Sequence, residues 1–284
     1  MSQQPKVALV TDSTAYLPAE LIAQHHISVV PVSVVVDGVA YDEGVDISSV
    51  ELADALRRRL TVTTSRPTPA RFLAAYHAAA AAGATDIVSA HLSADMSGTY
   101  DSAVIAARES PIPVRVLDTR SVGMAMGFAI LDGVTTADAG GSVDEVTAAI
   151  MDRVATSSAL FYVDTLDYLR RGGRVTAAAA ALGQALSVKP ILELVDGRVV
   201  PCERVRTSAK ALVRLTELAV QRAAGRPCDV AVQHLDAAAR AESLAELLAA
   251  SLTDAHILVS EVGAVVGAHV GPGMVAVGIS PRPT

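Results

Sequence analysis

The stretch Asp86-Ile87-Val88-Ser89-Ala90-His91-Leu92-Ser93-Ala94-Asp95-Met96-Ser97-Gly98-Thr99-Tyr100-Asp101-Ser102-Ala103-Val104-Ile105-Ala106-Ala107 runs from an apolar strand, through a hydroxyl-rich loop, into a helix. Such a junction gathers side-chain hydroxyls and orphan backbone N–H groups at the positive end of a helix, an arrangement that favours an anionic oxygen. A plain Ser/Thr helix cap uses the same residues. The strand–loop–helix unit recurs along the first half of the chain, and that recurrence decides the fold class.

Outward from this unit, Lys6 to Val10 reads as a strand, Thr11-Asp12-Ser13-Thr14 as the loop after it, and Pro18 to Gln24 as a helix. Ser28 to Val36 and Val39 to Tyr41 read as a hairpin across Asp37-Gly38, a pair suited to a tight turn. Ser48 with Glu51, and Ser142 with Glu145, are capping boxes that open helices to about Leu60 and Thr156. Thr68-Pro69 starts another helix and Gly83 stops it; Val114 to Leu117 is a further strand. Strands and helices alternating at this spacing predict a mainly parallel sheet with helices on both faces.

From about Ser158 the pattern changes. Ile191 to Val195 and Arg198 to Arg206 flank Asp196-Gly197 as an antiparallel hairpin. Amphipathic helices at Thr207 to Ala224 and Ala237 to Leu252 flank a strand at Asp229 to His234, and strands at His256 to Val262 and Met274 to Gly278 enclose Gly267-Ala268-His269-Val270-Gly271-Pro272-Gly273. The expectation is an α/β domain over 1–157 and an α+β domain over 158–284, with a ligand in the cleft between them.

Composition narrows the function. With 51% hydrophobic and 19% charged residues in 284, the chain packs a full core. A net charge of -7 argues against general nucleic-acid binding. The apolar run Val29 to Val36 is too short to span a bilayer, and Met1-Ser2-Gln3-Gln4-Pro5-Lys6 lacks the apolar segment of a signal peptide, so a cytoplasmic protein is expected. Cys202 and Cys228 form no CxxC, and the seven His residues follow no metal-ligand spacing; reduced thiols and no metal are expected. The sequence contains no GxSxG, no GxxxxGK[ST] and no GxGxxG after a strand. A chain rich in neutral donors at loop ends, without these motifs, favours binding an anion over transforming it.

Val10-Thr11-Asp12-Ser13-Thr14-Ala15-Tyr16-Leu17-Pro18 resembles the opening signature of the DegV family. Thr64-Ser65-Arg66-Pro67-Thr68-Pro69 is similar to its second motif, and Leu92 to Tyr100 to its third. Asp164-Thr165-Leu166-Asp167-Tyr168-Leu169-Arg170-Arg171-Gly172-Gly173-Arg174-Val175 resembles the LxxGGR segment. Lys189-Pro190-Ile191-Leu192, Val205-Arg206-Thr207 and Gly267 to Gly273 complete the set, in order, over nearly the whole chain. Two departures stand out: Arg66 where the family usually has Gln, and Val270 where it usually has Thr.

The resemblance implies a two-domain fatty-acid binder, the acyl-carrying subunit of a bacterial fatty acid kinase whose separate ATP-binding subunit phosphorylates the carboxylate. It implies no cofactor, no catalytic residue of its own, and at most transient contact with a membrane surface. Thr64, Ser97 and His269 are the matched head-group donors; Ser65, Gly98, Thr99 and Arg206 are further candidates for the pocket. The acyl chain is expected among Leu, Ile, Val, Ala and Met, since aromatic residues are only 3%. Arg170, Arg171 and Arg174 read either as a solvated helix end stopped by Gly172-Gly173 or as a docking patch for an acidic partner. The alternative function is an enzyme acting itself on a small anionic or acyl-phosphate substrate.

Overall fold

The computed structural model describes residues 6–175 and 189–283; residues 1–5, on which most of the N-terminal reading rests, lie outside them. In chain order, β1 (Val7–Asp12) leads through a 3-10 turn (Ser13–Ala15) to α1 (Ala19–Gln24) and β2 (Ser28–Val30). Then come β3 (Ser33–Val36), β4 (Val39–Asp42), α2 (Ser49–Arg57) and β5 (Val62–Ser65). After them lie α3 (Pro69–Ala81), β6 (Asp86–His91), α4 (Thr99–Ala107), β7 (Val114–Asp118), α5 (Met124–Asp138) and α6 (Val143–Thr156). The remainder holds β8 (Ser158–Tyr162), α7 (Asp167–Gly172), β9 (Lys189–Val195), β10 (Arg198–Val205), α8 (Ser208–Ala223), β11 (Cys228–His234), α9 (Ala238–Ser251), β12 (Ala255–Glu261), α10 (Ala264–Val270) and β13 (Val275–Pro281).

These elements form two compact units, residues 1–33 with 65–155 and residues 34–64 with 156–284. The first is built on a parallel sheet in the order β2-β1-β6-β7. Val10 and Ile87 join Phe72, Tyr76 and Ala79 of α3 and Ala103 and Ala106 of α4 in one core cluster. Strand side chains alternate between faces, so Leu9, Val88 and Ala90, also buried, face the other way, where α5 packs on β1. Helices therefore cover both faces, as a parallel sheet requires.

The second unit has a six-stranded sheet, β10-β9-β8-β13-β11-β12, antiparallel except for β11 beside β12. Tyr162, Ile191, Val230, Val232, Val275, Val277 and Ile279 pack there against Leu212, Leu215 and Ala219 of α8 and Leu244 and Leu248 of α9. A smaller sheet, β4-β3-β5, accompanies it.

The capping boxes form as read: Ser48 Oγ accepts from Glu51 N at 3.2 Å and Ser142 Oγ from Glu145 N at 3.3 Å, each Glu accepting in return from the backbone N–H of its serine. Two expectations need correction. Ser28 to Val36 is not one strand. Pro31 interrupts it, so Ser28–Val30 pairs in parallel with β1 while Ser33–Val36 begins the small sheet, and only the latter forms the hairpin with β4. Asp37 and Gly38 both take positive φ there, 46° and 86°, as a tight turn demands. The division of the chain is also discontinuous. Residues 34–64 cluster with the second half because their apolar side chains are buried there: Leu52 of α2 packs against Gly267 of α10.

Candidate functional site

The second unit brings Thr64 and His269 together. Thr64 on β5 is exposed to solvent along part of its surface, and its Oγ1 lies 2.9 Å from Nε2 of His269. The reading of residues 267–273 as a loop around His269 is corrected in part. His269 sits in the last turn of the short helix α10, and the turn follows only at Gly271, φ 76°.

The Gly-rich stretch docks on the arginine-bearing segment position by position. A Cβ on Gly172 would collide with His269 Nδ1, one on Gly271 with the Tyr168 ring, and one on Gly273 with the Asp164 carboxylate. The glycines are thus required by close approach, and at Gly271 and Gly273 also by positive φ. Arg240 Nη1 bonds both Gly273 O and Asp164 Oδ2 at 3.0 Å, and Lys189 Nζ lies 3.3 Å from Asp164 Oδ1. Burial alone raises the Asp164 pKa, yet hydrogen bonds from Tyr162 and Arg240 outweigh it and hold the carboxyl below its usual range.

His269 is neutral at pH 7. Burial first, and the charge of Arg174 second, push its pKa down to about 4. Among the described residues its Nδ1 is buried without a hydrogen-bond partner. A neutral imidazole against a hydroxyl, with a guanidinium beside it, lacks a negative charge; an incoming carboxylate supplies one.

The three arginines separate. Arg170 and Arg171 are exposed on α7, which Gly173 ends in the left-handed conformation at φ 68°. Arg171 stacks 4.8 Å over the Tyr168 ring. Arg174 is half-buried and turns back, its Nη1 donating to Gly172 O, so it lies beside His269 and apart from the exposed pair. Arg206 is exposed between β10 and α8.

In the first unit, Ser97 Oγ lies 2.9 Å from Thr99 Oγ1 and accepts from Thr99 N at 3.3 Å. Gly98, not Ser97, is the N-cap of α4, without a side-chain cap. The Arg66 guanidinium packs so closely on Gly98 that any Cβ there would meet it; this departure from the family pattern sets a cation against the hydroxyl loop. Ser65 is exposed, its Oγ 3.5 Å from Arg66 O. Val270 is buried, so the hydroxyl usual at that position is replaced by core packing.

Sequence reasoning missed a buried polar chain in the first unit. Asp12 accepts from Thr14 N at 3.1 Å and Leu92 N at 3.0 Å, and lies 3.1 Å from His91 Nδ1; His91 Nε2 lies 2.7 Å from Ser89 Oγ, itself 3.0 Å from Tyr76 Oη. The Asp–His–Ser connectivity matches that of a hydrolytic triad, but all four residues are 0% exposed, so no substrate reaches the serine. The chain fixes the 12–14 and 91–92 backbone instead. No local signal reveals it, because Asp12 meets His91 only when β1 pairs with β6.

Among the described residues no group of three or more His, Cys, Asp or Glu could hold a metal, and no helix is long and apolar enough to cross a membrane. Neither Cys202 nor Cys228 forms a disulfide among the described residues.

The family model described as "Uncharacterised protein, DegV family" matches residues 6–282. The chain belongs to the DegV family. It is 55% identical over 279 residues to a DegV domain-containing protein of Streptomyces coelicolor, covering 97% of this chain and 99% of that one. Among solved DegV structures it is similar to the Thermus thermophilus protein, described for its fatty acid binding, at a TM-score of 0.92 and 33% identity, over 98% and 100% of the two chains. It is also similar to the Bacillus subtilis DegV, described as a fatty acid binding protein, at 0.90 and 32% identity over 98% and 100%. The mixed α/β architecture of the two units is that of the DegV fold.

Proposed function

We propose that this chain binds a long-chain fatty acid, its carboxylate taken by Thr64 and His269 with Arg174 as the adjacent cation. The observation that carries the reading is the Thr64–His269 pair beside Arg174, built from a hydroxyl, a neutral imidazole and a guanidinium. A buried carboxylate is costly unless hydrogen-bonded, and charge-assisted bonds offset that cost. The likeness to the Thermus and Bacillus proteins, both described as fatty-acid binding, supports the same ligand class. Burying a chain of about 14 methylenes contributes roughly 11 kcal/mol before ordering costs, enough to retain a lipid through purification. Ser97 and Thr99 are proposed as further donors.

The carrier role is the second part of the reading. The bound acid is presented to a separate ATP-binding kinase subunit, since the sequence has no phosphate-cradling motif, and the exposed Arg170 and Arg171 offer an acidic partner two cations. Native mass spectrometry of gently purified protein tests the ligand: a co-purified fatty acid is expected, and its reduced retention in Thr64→Ala and His269→Ala. Protein that neither retains nor binds oleate would overturn the reading.

A further inference from the structure

Glu43 lies in a tight turn, where Val45 N and Asp46 N both bond Asp42 O, and its side chain is buried, the residue being 4% exposed. Its Oε1 accepts from Val265 N at 2.8 Å. Val265 is the second residue of α10, so the carboxylate satisfies one of the orphan N–H groups at the start of the helix that carries His269 near its end. Five residues beyond Glu43, Ser48 opens α2, and Leu52 of α2 packs onto Gly267 in the middle of α10. The segment 43–52 therefore grips α10 at its first turn and at its centre.

A seven-residue helix has little stability of its own in water, so tertiary anchors determine where it lies. We propose that Glu43 is a positioning residue for the head-group histidine: by holding the N-terminus of α10 it sets the imidazole of His269 against Thr64 and Gly172. This rests on the fatty-acid reading above for its functional consequence, not for its structural one. Glu43 acts through the helix, from the end opposite the imidazole.

The test compares Glu43→Gln, which loses charge but keeps an acceptor oxygen, with Glu43→Met, which keeps the volume and loses the acceptor. Two quantities are read: the His269 titration by NMR, with Arg174 its charged neighbour, and oleate affinity. In Glu43→Gln, His269 is expected to titrate near 4 as in the wild type, with oleate affinity within about threefold. In Glu43→Met, the loosened helix admits water, His269 titrates nearer its ordinary value, and oleate binds about tenfold more weakly. Equal behaviour of the two variants, whether both unchanged or both impaired, overturns the proposal. Hydrogen exchange of the Val265 amide in the wild type tests the same bond without a substitution: strong protection is expected, and exchange at the rate of an unstructured amide overturns the proposal. The titration and exchange readings need no ligand, so failure of wild-type protein to bind oleate would refute the fatty-acid reading alone.

Discussion

Thr64 Oγ1 and His269 Nε2 meet at 2.9 Å although 205 residues separate them in sequence. The hydroxyl comes from the segment 34–64, which leaves the first half of the chain to join the second unit, and the imidazole from the helix that Gly172 lets approach α7. The pair is the structural core of the expected head-group site, and most predictions turn on it.

Thr64→Ala is expected to weaken oleate binding by about 1–3 kcal/mol, roughly fivefold to 150-fold, with unchanged circular dichroism. Thr64→Ser keeps the hydroxyl and should bind within a few-fold of wild type. Ser97→Ala, measured separately, tests the proposed donor in the first unit. Isothermal titration with oleate checks each, and wild-type affinity in Thr64→Ala removes that residue from the site.

His269 should make stability depend on pH in a defined window. Its folded pKa is about 4 against an ordinary value of 6.5, so below 6.5 the unfolded chain takes up a proton that the folded chain refuses. Its contribution is complete above 6.5, declines as pH falls toward about 4, and changes no further below. Chemical denaturation across this range should show a smaller acid loss in His269→Gln than in wild type. Bound oleate should raise the His269 pKa, because a carboxylate beside the ring favours its charged form.

Adjacent glycines should respond differently. Gly172→Ala drives a methyl group into His269 Nδ1, so the imidazole must shift; a cost of about 1–3 kcal/mol and a clear loss of oleate affinity are expected. Gly173→Ala meets no atom of the described residues within 4 Å, but its φ of 68° strains an L-residue, so about 1 kcal/mol of stability is lost while oleate affinity holds. Thermal melts and oleate titrations of both variants check the contrast.

Arg174 should behave as a site residue and Arg170 and Arg171 as docking residues. Arg174→Ala removes a cation that helps depress His269, so the His269 pKa should rise and oleate affinity fall. The Arg170→Ala, Arg171→Ala double variant should bind oleate normally and lose turnover with the proposed ATP-binding partner. Intact oleate binding by Arg174→Ala would return that residue to the docking patch.

With ATP, magnesium and oleate, the isolated chain is expected to form no acyl phosphate; product should appear only when an ATP-binding kinase subunit is added. Phosphate transfer by the chain alone, followed by radiolabelled ATP, would favour the enzyme alternative.

The sequence by itself determined what depends on neighbours along the chain. The capping boxes at Ser48 and Ser142, the Asp37-Gly38 and Asp196-Gly197 turns and the strand-to-helix alternation were legible because each is written in residues a few positions apart. Thr64 and His269 each stand inside a short motif that singles them out, but their pairing depends on tertiary structure, and their role as head-group donors is a proposal. Tertiary structure decided what depends on which distant segments share a core. The burial of Leu52 beside Gly267 draws residues 34–64 into the second unit, which no local signal announces. Arg174 differs from Arg170 and Arg171 only because the chain turns back after Gly173 toward a histidine 95 positions away. Nothing local in the sequence marks Glu43; its hydrogen bond to α10 exists only once Val265, 222 positions later, arrives to donate its N–H. Hydrogen bonds and desolvation act over a few ångströms in space, and spacing along the chain encodes them only where the chain is local.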